Sequence, residues 1–328
     1  MNNHTKKTFW QRNWWFGIAV LCFAVYIILQ QTWIFDWYKG LSYAPSAEVA
    51  QIEDDLELTT TGRRIFAATH PVVEGSSEFN EHCKSHDAEV SLLGCYTDGQ
   101  IYIYEVTLEE LGSAKTVTAA HELLHANWER MGTREREEVS GWLQQLYDDK
   151  REWFDEELEI YAEENYLEEI YARAGTKLAD LPGELETHYA KIFQNRAQIV
   201  RFYDEYEAPF LTLQTELADL AQTIKTTNAE IDAERTTYQR SLKQLEAKIE
   251  RFNDCADTTG CFASEAEFSR QRKALLAERS QLEATREKLN EKILQNNHRV
   301  EEYRTRQEDL GKLNDAMNSN IELIQIVE

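Results

Sequence analysis

Three residues in the stretch 117–126 are spaced to do chemistry together: His121, Glu122 and His125, in the order His-Glu-x-x-His. On a helix, residues four apart lie on one face, so the two imidazoles can point at one metal ion. Glu122 is then placed to hold and deprotonate a water bound to that ion. Two neutral nitrogen ligands, one general base and an open coordination position are the minimal equipment of a zinc hydrolase. A helix has to present them, and the local residues favour one. Gly112-Ser113 precedes the motif, Ala- and Leu-rich turns fill it, and Met131-Gly132-Thr133 closes it with glycine at the expected C′ position.

The chain has 328 residues, enough for two or three folding units. Its formal net charge of −24 makes nucleic acid a poor partner, because phosphate attraction needs a basic surface. Of its five cysteines, Cys83 and Cys95 form one close pair and Cys255 and Cys261 another, while Cys22 lies in an apolar run. Two local disulfides are expected, and with them an oxidising compartment. Neither pair has the Cys-x-x-Cys spacing of a structural zinc site.

Residues 1–13 are polar and basic, with Lys6, Lys7 and Arg12, and residues 14–35 carry no charge. Spanning a bilayer takes about 20 apolar residues. A transmembrane helix is therefore expected over 14–35, with Trp14, Trp15, Trp33, Trp37 and Tyr38 at its interfaces and the lipid bilayer as a partner. The preceding basic residues would keep the N-terminus cytoplasmic and everything after residue 36 outside. A cleavable signal peptide is the competitor, but its apolar core would usually be shorter. Residues 36–80 read as a connector, broken by Ala44-Pro45-Ser46 and Pro71, in which 48–69 could hold a helix.

Residues 91–106 give the clearest strand signal. Asp98-Gly99 between two β-prone runs predicts a hairpin, with Ile101 and Ile103 on one face and Tyr102 and Tyr104 on the other. Thr107-Leu108-Glu109-Glu110 reads as a capping box opening a short helix. Residues 134–174 should be helical and very acidic, with Gly175 as their stop, and 184–203 should form another helix. From residue 206 the composition shifts to Glu, Lys, Arg, Gln and Leu. Apolar residues recur every seven positions from Leu217 to Phe252 and again from Phe268 to Ile324, with Asn296 in the one polar slot. Sustained heptads predict a coiled coil over 206–328. The break near 253–264 reads as the tip of an antiparallel coiled-coil hairpin stapled by Cys255–Cys261; the alternative is two parallel segments in a homodimer. The expected fold is mostly α with a small β-hairpin.

A catalytic zinc needs a third protein ligand. The positions where metzincins place a glycine and a third histidine hold Trp128 and Met131. The chain instead resembles the gluzincins, over about residues 90–200, which implies a zincin-like metallopeptidase domain over 81–205. That resemblance implies a Glu on a later helix, in Glu-x-x-Ala, as the third ligand. Glu159-Ile-Tyr-Ala162 and Glu169-Ile-Tyr-Ala172 both match. Glu169 is preferred, because Arg173-Ala174-Gly175-Thr176 follows it at once. The aspartate that often follows in gluzincins is Arg173 here. The resemblance also implies a zinc-dependent endopeptidase with a peptide or protein substrate, in which a strand just before the motif helix pairs with extended substrate. A donor for the oxyanion is needed as well. His188 and Tyr189 are the His-Tyr pair after the motif, and either could serve. Two readings compete with the protease: an inactive surface protein working through its coiled coil, with a coiled-coil partner or as a homodimer, and a zinc hydrolase acting on a non-peptide amide.

Overall fold

The computed structural model describes residues 18–23, 31–83, 93–158 and 166–319. They fall into two compact units, Met1–Pro209 with Leu313–Glu328, and Phe210–Lys312. The chain is mostly helical, with one three-stranded sheet.

The first unit opens with α1 (Gln31–Gly40), α2 (Ala47–Asp55) and α3 (Thr60–Ala68). Ser46 and Thr59 cap α2 and α3 by accepting the backbone N–H groups of Val49 and Gly62, which would otherwise be unpaired at a helix start. Strand β1 (Val72–Glu74), α4 (Ser76–His82), β2 (Gly94–Thr97) and β3 (Gln100–Tyr104) follow. The sheet order is β1-β3-β2, with β1 parallel and β2 antiparallel to β3. The expected hairpin is present: Asp98 and Gly99 both have positive φ, 52° and 75°, as a two-residue turn matched to strand twist requires. Ile101 and Ile103 are buried, while Tyr102 and Tyr104 are half-exposed. Both expected disulfides form, and Cys83–Cys95 ties the end of α4 to β2.

A single 3-10 turn, Glu109–Leu111, without a side-chain cap, takes the place of the short capped helix. The motif helix is α5 (Ala114–Arg130). Gly132 does not end it in a left-handed conformation; at φ −67° it is the N-cap of α6 (Thr133–Asp149). Then come α7 (Arg151–Leu158), α8 (Tyr166–Lys177) and α9 (Gly183–Tyr189). Ala119, Ala120, Leu123 and Leu124 of α5 are fully buried in one core with Ile101 and Ile103 of β3 and Ile170, Tyr171 and Ala174 of α8. Burying each such leucine contributes about 2 kcal/mol.

Several expectations need correction. Among the described residues no helix is long and apolar enough to cross a membrane, so the single-pass arrangement through 14–35 is overturned. Residues 14–17 and 24–30 of that range lie outside the described residues, and Gln31 onward begins α1, which packs on α3. The segment read as a connector supplies Val49, Ile52, Leu56, Leu58, Ile65 and Phe66 to the core. Gly175 does not stop a helix but lies inside α8. A Cβ there would sit 2.4 Å from Leu124 Cδ1 and 2.8 Å from Tyr189 Cε1, so the glycine permits close approach of α8 to α5. The helix expected over 184–203 breaks after Tyr189 because the backbone there is claimed elsewhere. Thr59 N–H donates to the Ile192 carbonyl and Gln194 N–H to the Glu57 carbonyl, at 2.9 and 2.8 Å.

Two long helices, α10 (Arg196–Ala256) and α11 (Glu265–Ala316), account for the second unit. Lys248 meets Glu278 and Lys292 meets Glu230, at 2.7 and 2.8 Å, so partners rise along one helix as they fall along the other. The helices are therefore antiparallel within one chain, joined at the Cys255–Cys261 disulfide.

Candidate metal centre

His121 and His125 occupy successive turns of α5, with their Nε2 atoms 3.1 Å apart. Helix α8 brings Glu169 to the same point: Oε1 lies 3.4 Å from His125 Nε2 and Oε2 lies 3.7 Å from His121 Nε2. One ligand atom from each of the three lies within 4.8 Å of the other two. A tetrahedral site with bonds of about 2.1 Å has donor-to-donor edges of about 3.4 Å, which is the scale of this triangle. Glu169 Oε2 is buried and has no hydrogen-bond partner. Buried carboxylate oxygens are rarely left so, and a cation at the centre of the triangle would satisfy it. The three residues fit a metal ion. Glu159, the other candidate ligand, lies outside the described residues.

Sequence reasoning missed Glu168. Its Oε1 lies 2.9 Å from His125 Nδ1, the ring nitrogen turned away from the triangle. Such a contact fixes which nitrogen is free to coordinate. The signal was present as the adjacent carboxylates Glu168-Glu169, one of which faces the metal group while the other holds its histidine. Arg173, one turn on, brings its Nε to 3.6 Å from Glu169 Oε2.

Glu122 is buried, at 6 % exposure, on the same helix. Burial pushes its carboxyl pKa up to about 7; Glu169 adds to this, while His125 and the Tyr96 backbone N–H offset part of it. Tyr96 belongs to edge strand β2 and was also missed. A Cβ at Gly94, on the same strand, would come within 2.4 Å of Thr118 Cγ2 and 3.0 Å of Glu122 Oε1. The missing side chain is what lets β2 lie against the base. His121 is held well below the usual histidine range, first by burial and then by the charges of His125, Arg173 and Lys177. Burial acts the same way on His125. There the Glu168 contact and the charges of Glu122 and Glu169 outweigh it, leaving the pKa raised to about 9.

The structure does not bring His188 and Tyr189 into this group. His188 Nε2 lies 3.0 Å from the Tyr171 hydroxyl, and its Nδ1 lies 3.8 Å from Glu135. Tyr189 donates its hydroxyl hydrogen to the Tyr171 carbonyl at 2.7 Å. Both rings are buried around Tyr171, where they pack α9 against α8.

No protein-family model matches the chain, and comparison with curated proteins and with solved structures returns no match. The functional reading rests on the geometry itself.

Proposed function

We propose that the chain is a zinc-dependent endopeptidase whose metal ligands are His121, His125 and Glu169. The observation that carries this reading is the triangle of two imidazole nitrogens and one carboxylate whose buried Oε2 makes no hydrogen bond, with a buried glutamate beside it. A zinc ion held there would supply Lewis acidity toward a substrate carbonyl and toward water. Glu168 orients His125. Glu122, with a carboxyl poised near neutrality and steadied by the Tyr96 N–H, takes a proton from the attacking water and returns it to the leaving amine. Strand β2 is an edge of the sheet and lies against the base, so an extended peptide added to it would run past Glu122. No role in the reaction is assigned to His188 or Tyr189. The two disulfides suit an oxidising compartment.

We read the antiparallel hairpin as a coiled coil. Ile231, Leu245 and Leu289 are buried on heptad positions, and Asn296 donates to Asn228 across the seam at 2.8 Å. A single buried polar residue of this kind, paired across the seam, fixes register. The test of the enzyme reading is direct. The purified chain should hold about one zinc per molecule and cleave an unfolded protein substrate, with both properties lost to a chelator and restored by zinc. A chain that holds no metal after zinc loading would refute the site. A chain that holds zinc and cleaves no peptide bond would favour the non-peptide or interaction readings.

A further inference from the structure

Helix α1 is built inside out. Its one carboxylate, Asp36, is 3 % exposed, while Trp33, Phe35, Trp37 and Tyr38 face solvent, Tyr38 at 70 %. A surface helix in water does the reverse, and a contiguous aromatic face of this kind marks a binding surface.

The charge beneath it is unbalanced. Arg130 grips Asp36 with two nitrogens, its Nε and Nη2 both lying 3.0 Å from Oδ1, and has a second carboxylate neighbour, Glu129, at 3.7 Å. Arg64 reaches only the edge of the same Asp36, at 4.0 Å, its one ion-pair contact among the described residues. The atom that faces Asp36 is its Nε, which is buried and too far away for a hydrogen bond, while the side chain keeps 23 % exposure toward the groove. Two guanidinium groups share a single buried carboxylate, and a buried donor on a cation is costly to leave unmade. Beside Arg64 a groove of about 570 Å³ is lined by Trp37 and Leu41 from α1 and its end, by Arg63 and Ala67 from α3, by Gln194, and by Asp36, whose charge Arg130 already answers. That is the size of a small-ligand site. The Arg64 guanidinium also lies 5.9 Å from the Trp33 ring centroid.

These features together select a ligand class. A neutral apolar ligand would cover the aromatics and leave Arg64 unsatisfied. A small polar anion would answer Arg64 and leave the aromatics in water. We propose that the groove between α1 and α3 binds an anionic amphiphile, its phosphate or carboxylate head on Arg64 and its acyl chain along the aromatic face of α1. The chain's overall charge of −24 gives such an anion no long-range help, but at physiological salt charges beyond about 8 Å are largely screened, so the local cations decide.

The test is calorimetric titration of the full chain with soluble short-chain lipids. Dihexanoyl phosphatidylglycerol carries the phosphate head and decanoate the carboxylate; dihexanoyl phosphatidylcholine and inorganic phosphate serve as controls. Either anionic amphiphile should bind at least roughly tenfold more tightly than both controls, as loss of a charge-assisted hydrogen bond or of the apolar contact implies. Which of the two binds better identifies the head group. Arg64→Gln should weaken binding roughly tenfold to a hundredfold, with Arg64→Lys retaining most of it. Trp37 is half-exposed, so Trp37→Ser leaves the fold intact and should also weaken binding, by roughly tenfold. Failure of both anionic amphiphiles to bind more tightly than the choline lipid, or an unchanged affinity in Trp37→Ser, would overturn the proposal. Zinc content is a separate readout and should not change in any of these variants.

Discussion

Glu122 is a carboxyl group kept where its charge is expensive, on the same helix as two imidazoles that a metal ion would share. Replacing it with Gln keeps the shape and removes the base. Glu122→Gln should therefore retain zinc and lose turnover by roughly 10²- to 10⁴-fold, the usual contribution of general acid–base catalysis. His121→Ala should lose zinc outright. Metal analysis beside a peptidase assay separates the two, and full activity in Glu122→Gln would remove Glu122 from the mechanism. His188 supports a prediction about stability instead. Burial, aided by Lys191 and opposed by Glu135, pushes its pKa from 6.5 down to about 4. The unfolded chain then takes up this proton before the folded one does. The contribution is intact above pH 6.5 and is lost as pH falls from there toward 4, amounting to about 3 kcal/mol. Urea unfolding at stepped pH should show this slope in the wild type and a flatter one in His188→Gln. His121 and His125 were legible because helical spacing alone puts them on one face, and Glu169 because the Glu-x-x-Ala pattern occurs at only two places between the motif and residue 200. Glu168 and Tyr96 were not, because their roles depend on which way α8 and β2 turn when they reach α5.

At the scale of elements, the centre is set by how closely α8 and β2 approach α5, and a glycine sits at each contact. Gly175 was read as a helix stop because glycine is common there; its actual use, room for Leu124 and Tyr189, is a property of a partner helix no local pattern reveals. Gly175→Ala should cost about 1–3 kcal/mol by overpacking. Trimming the neighbour in Leu124→Ala/Gly175→Ala should recover part of that, so that the double mutant is less destabilised than the two single changes summed. Strict additivity would mean the close approach is not what limits the site. The transmembrane expectation failed for a related reason. Hydropathy summed over 14–35 takes the run as one helix, whereas α1 begins within it, at Gln31, and carries on to Gly40 with Asp36 and Lys39 inside it.

For the whole molecule, the decisive point is that the proposed metal ligands all lie in the first unit and the heptads from Leu217 to Leu310 in the second. Ligand binding stabilises only the folded unit that binds it. Calorimetric unfolding should resolve two transitions, of which one rises with added zinc and falls with chelator. The other should respond to Cys255→Ser/Cys261→Ser and not to zinc. A single transition that moves with both would mean that the units fold as one. The heptads and the cysteine pair made the second unit readable almost residue by residue, since a hairpin is a local structure. The first unit was readable only in pieces, because its core joins Val49 and Leu56 to Phe193 and Ile199 across most of its length.

The buried grip of Arg130 on Asp36 also decides where this protein can be shortened. Arg130 closes the last turn of α5, yet its counter-charge comes from a residue 94 positions earlier. A fragment cut just after α1, at residue 41, would keep every proposed metal ligand and still take away the carboxylate that Arg130 grips, leaving it Glu129 at 3.7 Å, at a cost of about 1–3 kcal/mol. Cutting at residue 31 keeps the pair. The shortest well-behaved fragment of the first unit should therefore begin at Gln31, and two fragments differing only in these ten residues should differ plainly in melting temperature. If trimming back to 41 is unavoidable, Arg130→Met should restore part of the loss by removing the poorly paired charge.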